Sequence, residues 1–219
     1  MINERCSNLL CGLVKEYIRT AEPLSSVYLK RILELSVSPA TVRAWLNDLE
    51  DEGYIEQPHT SAGRVPTDSG YRHYVDRVRP GGNRRTEIEE NPQTLVRYLS
   101  RAAHALAVAA LPSGRVEQYG LLELMLQPEG SNRYAIQEIS SILDHIHHYV
   151  EEVAEQGSAH TSVFIGSENP FMTAVHTSML VKSVADREGR HSVVMLIGPK
   201  RMSYSQNISL LERVGAILG

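Results

Sequence analysis

The stretch that decides the fold is Ser38–Asp76, which reads SPATVRAWLNDLEDEGYIEQPHTSAGRVPTDSGYRHYVD. Its first part predicts a helix, because Ser38 can cap the free amides of the first turn and Pro39 loses nothing at the first helical position. Gly53 is typical of the residue that closes such a helix. A well-delimited helix of about three and a half turns is therefore expected.

This helix is expected to have two different faces. Apolar residues recur at helical spacing on one face, with Trp45 at its edge: Val42, Leu46 and Leu49. The opposite face carries small and polar residues: Ala40, Arg43, Ala44 and Asn47. A helix that reads a DNA groove buries one face and reaches base edges from its first turns. The pattern therefore predicts a recognition helix.

A hairpin is expected directly after this helix. Residues 54–58 and 64–66 resemble two short strands around the turn His59–Gly63. Pro58 and Pro66 exclude a long central sheet but suit the exposed arms of a wing. A closing helix capped by Thr67 is expected next, with apolar positions at Tyr71, Tyr74, Val75 and Val78.

The residues before Ser38 complete a helix-turn-helix pattern. Residues 3–20 predict an amphipathic helix, and Ser25 or Ser26 can cap a short second helix that ends at Leu33. The turn 35–37 then leads into the recognition helix, as in helix-turn-helix units. Residues 1–79 are therefore interpreted as a winged helix-turn-helix domain.

A linker and a second domain are expected after residue 79. The segment RPGGNRRTEIEENP, residues 79–92, has paired glycines, two prolines and mixed charge, so 80–92 is interpreted as the linker. The remaining segment, 93–219, alternates helix and strand patterns. Helices are expected at 93–103, 136–156 and 204–218, and strands at 105–111, 116–126, 162–165, 178–185 and 192–197. Three helices and five strands in this order predict an antiparallel α+β domain.

Composition limits the class of protein. The 219 residues include 42% hydrophobic and 22% charged residues, and no apolar run approaches the length of a membrane span. The N-terminus does not have the pattern of a signal peptide. Cys6 and Cys11 are about 140° apart on a helix and are expected to stay reduced, so a cytoplasmic location is expected.

The net charge of −4 is unevenly distributed. Residues 1–85 carry 12 Lys and Arg against 11 Asp and Glu, so the negative charge is concentrated in the remainder. The acidic residues at the end of the recognition helix lie apart from the basic ones. Basic side chains outside that acidic cluster are Arg43, Arg64, Arg72, Arg84 and Arg85. A locally positive DNA-binding face is therefore compatible with the composition.

Several motifs resemble the HrcA family of bacterial heat-inducible transcription repressors. In the first domain they are SPATVR from Ser38, DLE from Asp48, GYI from Gly53, QPHTSAGRVPT from Gln57 and GYR from Gly70. In the second domain they are IGSENP from Ile165, IGPKRMSYS from Ile197 and SLLERV from Ser209. The resemblance covers residues 1–80 and 162–219 closely and 92–127 loosely.

The resemblance implies both a fold and a function. It implies a winged helix-turn-helix domain joined to a GAF-like domain, and repression of heat-shock chaperone operons through an inverted-repeat operator bound by a homodimer. It also implies dependence on the GroEL chaperonin. The family inserts a dimerising segment within the GAF-like domain, and the region between Leu126 and Val163 is too short to hold it. A reduced GAF-like domain is therefore expected, paired through 136–156, 93–103 or its sheet.

The DNA-binding residues are expected on the recognition helix and the wing. They are Ser38, Thr41, Arg43, Asn47, His59, Thr60, Ser61 and Arg64. Arg binds guanine through two hydrogen bonds, and a compact wing tip approaches phosphates closely. The alternatives are a solvated surface helix and an ordinary β-turn. Ala44 stands where the family commonly has Asn, so a shifted operator preference is expected.

No catalytic, metal or cofactor site is expected. The cluster DHIHH at Asp144–His148 has some ligand spacing, but the adjacent His147 and His148 point about 100° apart on a helix. Glu168 with Asn169, and Lys200 with Arg201, are interpreted as turn residues, because no nucleophile with an adjacent base accompanies them. The chain is therefore interpreted as a repressor and not an enzyme. A ligand-sensing regulator of another regulon and a metal-dependent enzyme remain as alternatives.

Overall fold

The computed structural model describes residues 2–59, 62–78, 91–156, 160–170, 174–186 and 188–218. The chain divides into two compact units, Met1–Val78 and Arg79–Gly219. The expected linker, 80–92, falls outside the described residues except for Asn91 and Pro92, which begin a helix. None of the described helices is long and apolar enough to cross a membrane.

The first unit contains four helices and a small hairpin among its described residues. The elements are α1 Glu4–Thr20, α2 Ser26–Ile32, α3 Pro39–Asp51, β1 Ile55–Glu56, β2 Val65–Pro66 and α4 Asp68–Val75. Their starts follow from side-chain caps, because Asn3, Ser25, Ser38 and Thr67 each accept a hydrogen bond from a first-turn amide. The wing strands are shorter than expected, and Val78 lies beyond the end of α4.

The core of the first unit is formed by the apolar faces of its helices. Leu10 and Leu13 of α1, Leu29 of α2, and Val42 and Leu49 of α3 are fully or almost fully buried. The order of three helices, a hairpin and a closing helix is that of a winged helix-turn-helix. The winged helix-turn-helix fold class expected for this part of the chain is confirmed.

The second unit is a mixed α and β structure. Its elements are α5 Pro92–Ala103, β3 Leu106–Ala110, β4 Val116–Tyr119, α6 Leu121–Met125, α7 Arg133–Asp144, α8 Ile146–Gln156, β5 Ser162–Ile165, β6 Thr177–Ala185, β7 His191–Pro199 and α9 Tyr204–Leu218. The five strands form one sheet in the order β4-β3-β7-β6-β5, and every neighbouring pair is antiparallel.

Helices cover both faces of this sheet. On one face α6, α7 and α8 share a hydrophobic core with the strands, including Leu124, Ile142 and Met195. On the other face α5 and α9 pack against the strands. The central strands β6 and β7 are therefore buried along nearly their whole length. The expected antiparallel α+β, GAF-like fold class is confirmed.

Two expected elements are wrong. The strand expected at 116–126 ends at Tyr119, because Gly120 adopts φ 110° and turns the chain into α6. A Cβ at Gly120 would lie 1.9 Å from the Ser100 hydroxyl, so only glycine fits there. Together with the division of the helix expected at 136–156, this gives the second unit five α-helices among its described residues, where three were expected.

The long helix expected at 136–156 is two helices that meet at His145. The Nδ1 atom of His145 lies 3.0 Å from the Ser141 carbonyl oxygen, which the backbone amide of residue 145 would bind in a continuous helix. That amide instead bonds the Ile142 carbonyl at 3.2 Å. The imidazole therefore competes with the backbone for its acceptor and the helix breaks.

Candidate nucleic-acid interface

The N-terminal end of α3 is held by the side chain of Ser38. The Ser38 hydroxyl accepts the Thr41 backbone N–H at 3.1 Å, and the two side-chain hydroxyls lie 2.9 Å apart. Pro39 occupies the first helical turn, where it loses no hydrogen bond. Ser38 and Thr41, both expected to bind DNA, are thus also used to begin the helix. The helix dipole favours a phosphate at this end.

The outward face of α3 is as expected. Val42, Leu46 and Leu49 are buried, while Arg43 and Asn47 are exposed one helical turn apart. Ala40 and Ala44 lie on the same exposed side, and their small side chains project little from the helix. The two long polar side chains therefore project from a face that can approach another surface closely.

The wing is attached to the rest of the first unit by a single antiparallel bridge between backbones. Leu24 and Arg64 exchange two backbone hydrogen bonds, of 3.0 and 2.9 Å, as in an antiparallel pair. A Cβ on Gly63 would lie 2.5 Å from the backbone of Leu24, so glycine is required for this approach. The Gln57 side-chain amide also donates to the Ala62 carbonyl at 2.9 Å and closes the base of the wing. The wing is therefore held firmly at its base.

The tip of the wing is only partly described. His59 is exposed, and its carbonyl accepts the Ala62 amide at 2.8 Å. Thr60 and Ser61, both expected to bind DNA, lie outside the described residues. Their expected contacts with phosphates stay predictions.

Arg64 joins the wing to α3. Its Nη2 atom lies 2.8 Å from Oε2 of Glu50 and 3.5 Å from Oδ1 of Asn47. Only 16% of the Arg64 side chain is exposed. Arg64 was expected to supply a positive charge beside the wing tip, and in this structure that charge is compensated by Glu50. Three expected DNA-binding residues, Asn47, Arg64 and Arg43, nevertheless border one groove.

That groove lies where α2, α3 and the wing meet. Its volume is about 270 Å³, and its polar lining includes Ser25, Arg43, Asn47, Gln57 and Arg64. The sequence interpretation missed Ser25 and Gln57 as members of this surface. Ser25 was recognised only as a helix cap, and Gln57 only as the start of the wing motif. Their positions depend on how the wing folds against α2.

Several charged or polar groups singled out in the second unit have structural partners. Arg201 donates to Glu129 at 2.7 Å, and Glu168 accepts the Ile165 amide at 3.1 Å. His148 lies 3.2 Å from Glu152 on the same helix. Over the described ranges, no three His, Cys, Asp or Glu side chains converge closely enough to hold a metal ion.

Comparisons with known proteins agree with the fold of both units. The "Crystal structure of a hypothetical protein at 2.2 A resolution" superposes with a TM-score of 0.84 at 17% identity, covering 100% of this chain and 98% of the other. At that identity the similarity shows the fold alone.

Sequence comparisons identify the relatives. The chain is 39% identical over 140 residues to the heat-inducible transcription repressor HrcA of Desulforamulus reducens, covering 57% of this chain and 40% of the relative. The repressor of the same name from Carboxydothermus hydrogenoformans is 53% identical over 76 residues, covering 35% and 22% respectively. The chain thus matches at most about two-fifths of the length of these relatives.

A family comparison covers most of the second unit. The family described as "HrcA protein C terminal domain" matches residues 78–208, which is more than half of the chain. The family match includes the IGSENP and IGPKRMSYS motifs of the second unit. The chain therefore belongs to the HrcA family.

Proposed function

We propose that this chain is a sequence-specific DNA-binding repressor of heat-shock chaperone genes. The observation that carries the proposal is the exposed pair Arg43 and Asn47 on α3, beside a wing held against the same helix. Arg43 supplies two donors for guanine, and Asn47 supplies a donor and an acceptor. The names of the relatives support the regulatory role.

The two side chains are proposed to read bases, and the rest of the surface to hold the DNA backbone. Ser38, Thr41 and the N-terminal amides of α3 suit a phosphate, because the helix dipole is positive there. His59, Thr60, Ser61 and Arg64 are proposed to contact phosphates from the wing. Such contacts fix the register of the protein on the duplex.

We further propose that two copies bind an inverted repeat. One recognition helix reads only a few base pairs, and genomic specificity needs a longer site. A cytoplasmic location follows from the proposed action on DNA. The GroEL chaperonin is proposed as a further partner from the family resemblance.

The direct test is a titration of a labelled duplex that carries the inverted repeat found upstream of the chaperone genes in the source genome. We expect binding at least about 1,000-fold tighter than to a scrambled duplex at the same salt concentration. Equal binding to both duplexes would contradict the proposal. Specific binding only to another promoter would favour the ligand-sensing alternative instead.

The cavity that the described residues form between α6 and α7 is small for a ligand sensor. The cavity between α6 and α7 has a volume of about 80 Å³ and is lined mainly by apolar residues such as Leu121, Leu124 and Ile139. Ligand pockets for drug-sized molecules usually measure about 300–1,000 Å³. We therefore favour the chaperone-operon repressor.

A further inference from the structure

The second unit exposes an apolar surface around α6. Six of the nine large hydrophobic side chains that the described residues leave exposed lie within one short stretch of chain. They are Tyr119, Leu121, Leu122, Met125, Leu126 and Tyr134, named here the α6 surface. The exposed fraction reaches 70% for Leu122 and 72% for Leu126. Single exposed leucines are ordinary, but a contiguous group of this kind marks an interaction site.

The surface is built into the fold and is not a frayed end. Gly120 fixes the start of α6, and Leu124 anchors the helix in the core of the sheet. With Leu124 pointing inward, two pairs of residues four apart form adjacent rows on the outer side. The pairs are Leu121 with Met125, and Leu122 with Leu126.

The size of the α6 surface fits a protein partner. Large side chains carry roughly 200 Å² each, so the six together expose on the order of 600 Å². A stable protein–protein interface buries about 800 Å² on each side. The adjoining cavity of about 80 Å³ is smaller than the pockets that usually hold drug-sized ligands. A flat apolar contact is therefore a better fit than a bound small molecule.

The charges at the margins favour an identical partner. Arg97 lies over the Tyr119 ring at 5.6 Å and Arg133 over the Tyr134 ring at 5.7 Å, so cations border the surface near both ends. Glu123, about 30% exposed, adds a carboxylate nearby, and Glu129, also about 30% exposed, is paired with Arg201 of the same unit. A two-fold contact places the same patch on both sides, so the margins must carry both signs to avoid repulsion.

We propose that the α6 surface is where two copies of this chain pair. The inference rests on the proposed function to the extent that an inverted repeat requires two reading heads. Leucine rows of both copies pack against each other, and the two tyrosines close the edges of the contact. Arg97 and Arg133 of each copy face the carboxylates of the other.

The first test measures the mass of the full chain in solution by sedimentation velocity without DNA. Wild type is expected at twice the chain mass, and Leu122→Glu/Leu126→Glu at one chain mass. The dimer dissociation constant should rise at least about 100-fold. Val27→Glu is the matched control, because Val27 is 60% exposed on α2 of the other unit. A dimeric double variant, or a monomeric wild type, would overturn the proposal.

Two further measurements keep this result interpretable. Leu126→Cys should form a covalent dimer on mild oxidation much faster than Val27→Cys, and equal rates would count against pairing at α6 even if the glutamate variant unfolds. The double glutamate variant should bind a single half-site duplex as tightly as wild type does. Loss of the dimer with retained half-site binding separates this proposal from the DNA-binding proposal. If wild type does not bind DNA, only the DNA-binding proposal is contradicted.

Discussion

The guanidinium of Arg64 lies 2.8 Å from the carboxylate of Glu50 and joins the wing to α3. The two residues belong to different elements, and the Arg64 side chain is largely buried at the junction. In the free protein Glu50 therefore competes with any phosphate for Arg64. To bind DNA, Arg64 must either leave Glu50 or contact a phosphate while it is still paired with Glu50.

Glu50→Gln should strengthen DNA binding by up to about fivefold, because a partly exposed ion pair contributes about 0–1 kcal/mol. Asp51→Asn is the matched control, since it removes the same charge from an exposed neighbour. Fluorescence anisotropy on operator and scrambled duplexes gives the comparison. Weaker binding by Glu50→Gln than by Asp51→Asn would show that the pair positions the wing and that Arg64 does not bind phosphate.

Gly63→Ala should destabilise the attachment of the wing. Its new Cβ would lie 2.5 Å from the backbone of Leu24, and relieving such overlap typically costs about 1–3 kcal/mol. Gln137→Ala is the control, because Gln137 is an exposed residue of α7 in the second unit. We expect reduced DNA affinity and a lower melting temperature only for the wing variant. Unchanged affinity after Gly63→Ala would exclude the wing from DNA binding.

His73 should make the first unit sensitive to mild acid. Burial lowers the pKa of His73, the nearby Arg77 lowers it further, and Asp76 partly opposes the change. Arg77 donates to Nδ1 at 3.3 Å, so the neutral ring donates from Nε2 to Ser7 at 2.8 Å. Protonation of His73 removes Nδ1 as a hydrogen-bond acceptor. It also places the charged imidazolium beside the Arg77 guanidinium.

The direction of the pH effect follows from this lowered pKa. Between the folded pKa and the unfolded value of about 6.5, the unfolded state binds more protons. The free energy of unfolding should be fully retained above about pH 6.5 and fall as the pH drops below it. Urea titrations followed by the fluorescence of Trp45, the single Trp, measure this. His73→Gln should remove most of the decrease, and an equal decrease in the variant would contradict the assignment.

Local sequence signals were sufficient for the first unit. Ser38, Pro39 and Gly53 delimit α3 through short-range capping and backbone preferences, so its bounds could be predicted closely. The exposure of Arg43 and Asn47 followed from the helical period alone. The pairing of Arg64 with Glu50 could not be predicted, because it arises only when the wing folds against the helix.

The second unit was harder to predict. The run Leu121–Leu126 is short and apolar, and such a run does not distinguish a strand from a helix. The break at His145 depends on one ring nitrogen reaching a carbonyl, which residue preferences do not encode. The α6 surface was missed for the same reason, since residues 121–126 were expected to continue a strand and not to form a helix.

Arg43 of α3 is proposed to read DNA bases, and replacing Arg43 tests that role most directly. The affinities of wild type, Arg43→Ala and Arg101→Ala are compared on the operator and on a scrambled duplex; Arg101 is an exposed arginine of the second unit. We expect Arg43→Ala to lose about 1–3 kcal/mol on the operator but little on the scrambled duplex, with Arg101→Ala near wild type. Full operator affinity in Arg43→Ala would contradict the assignment of the recognition helix.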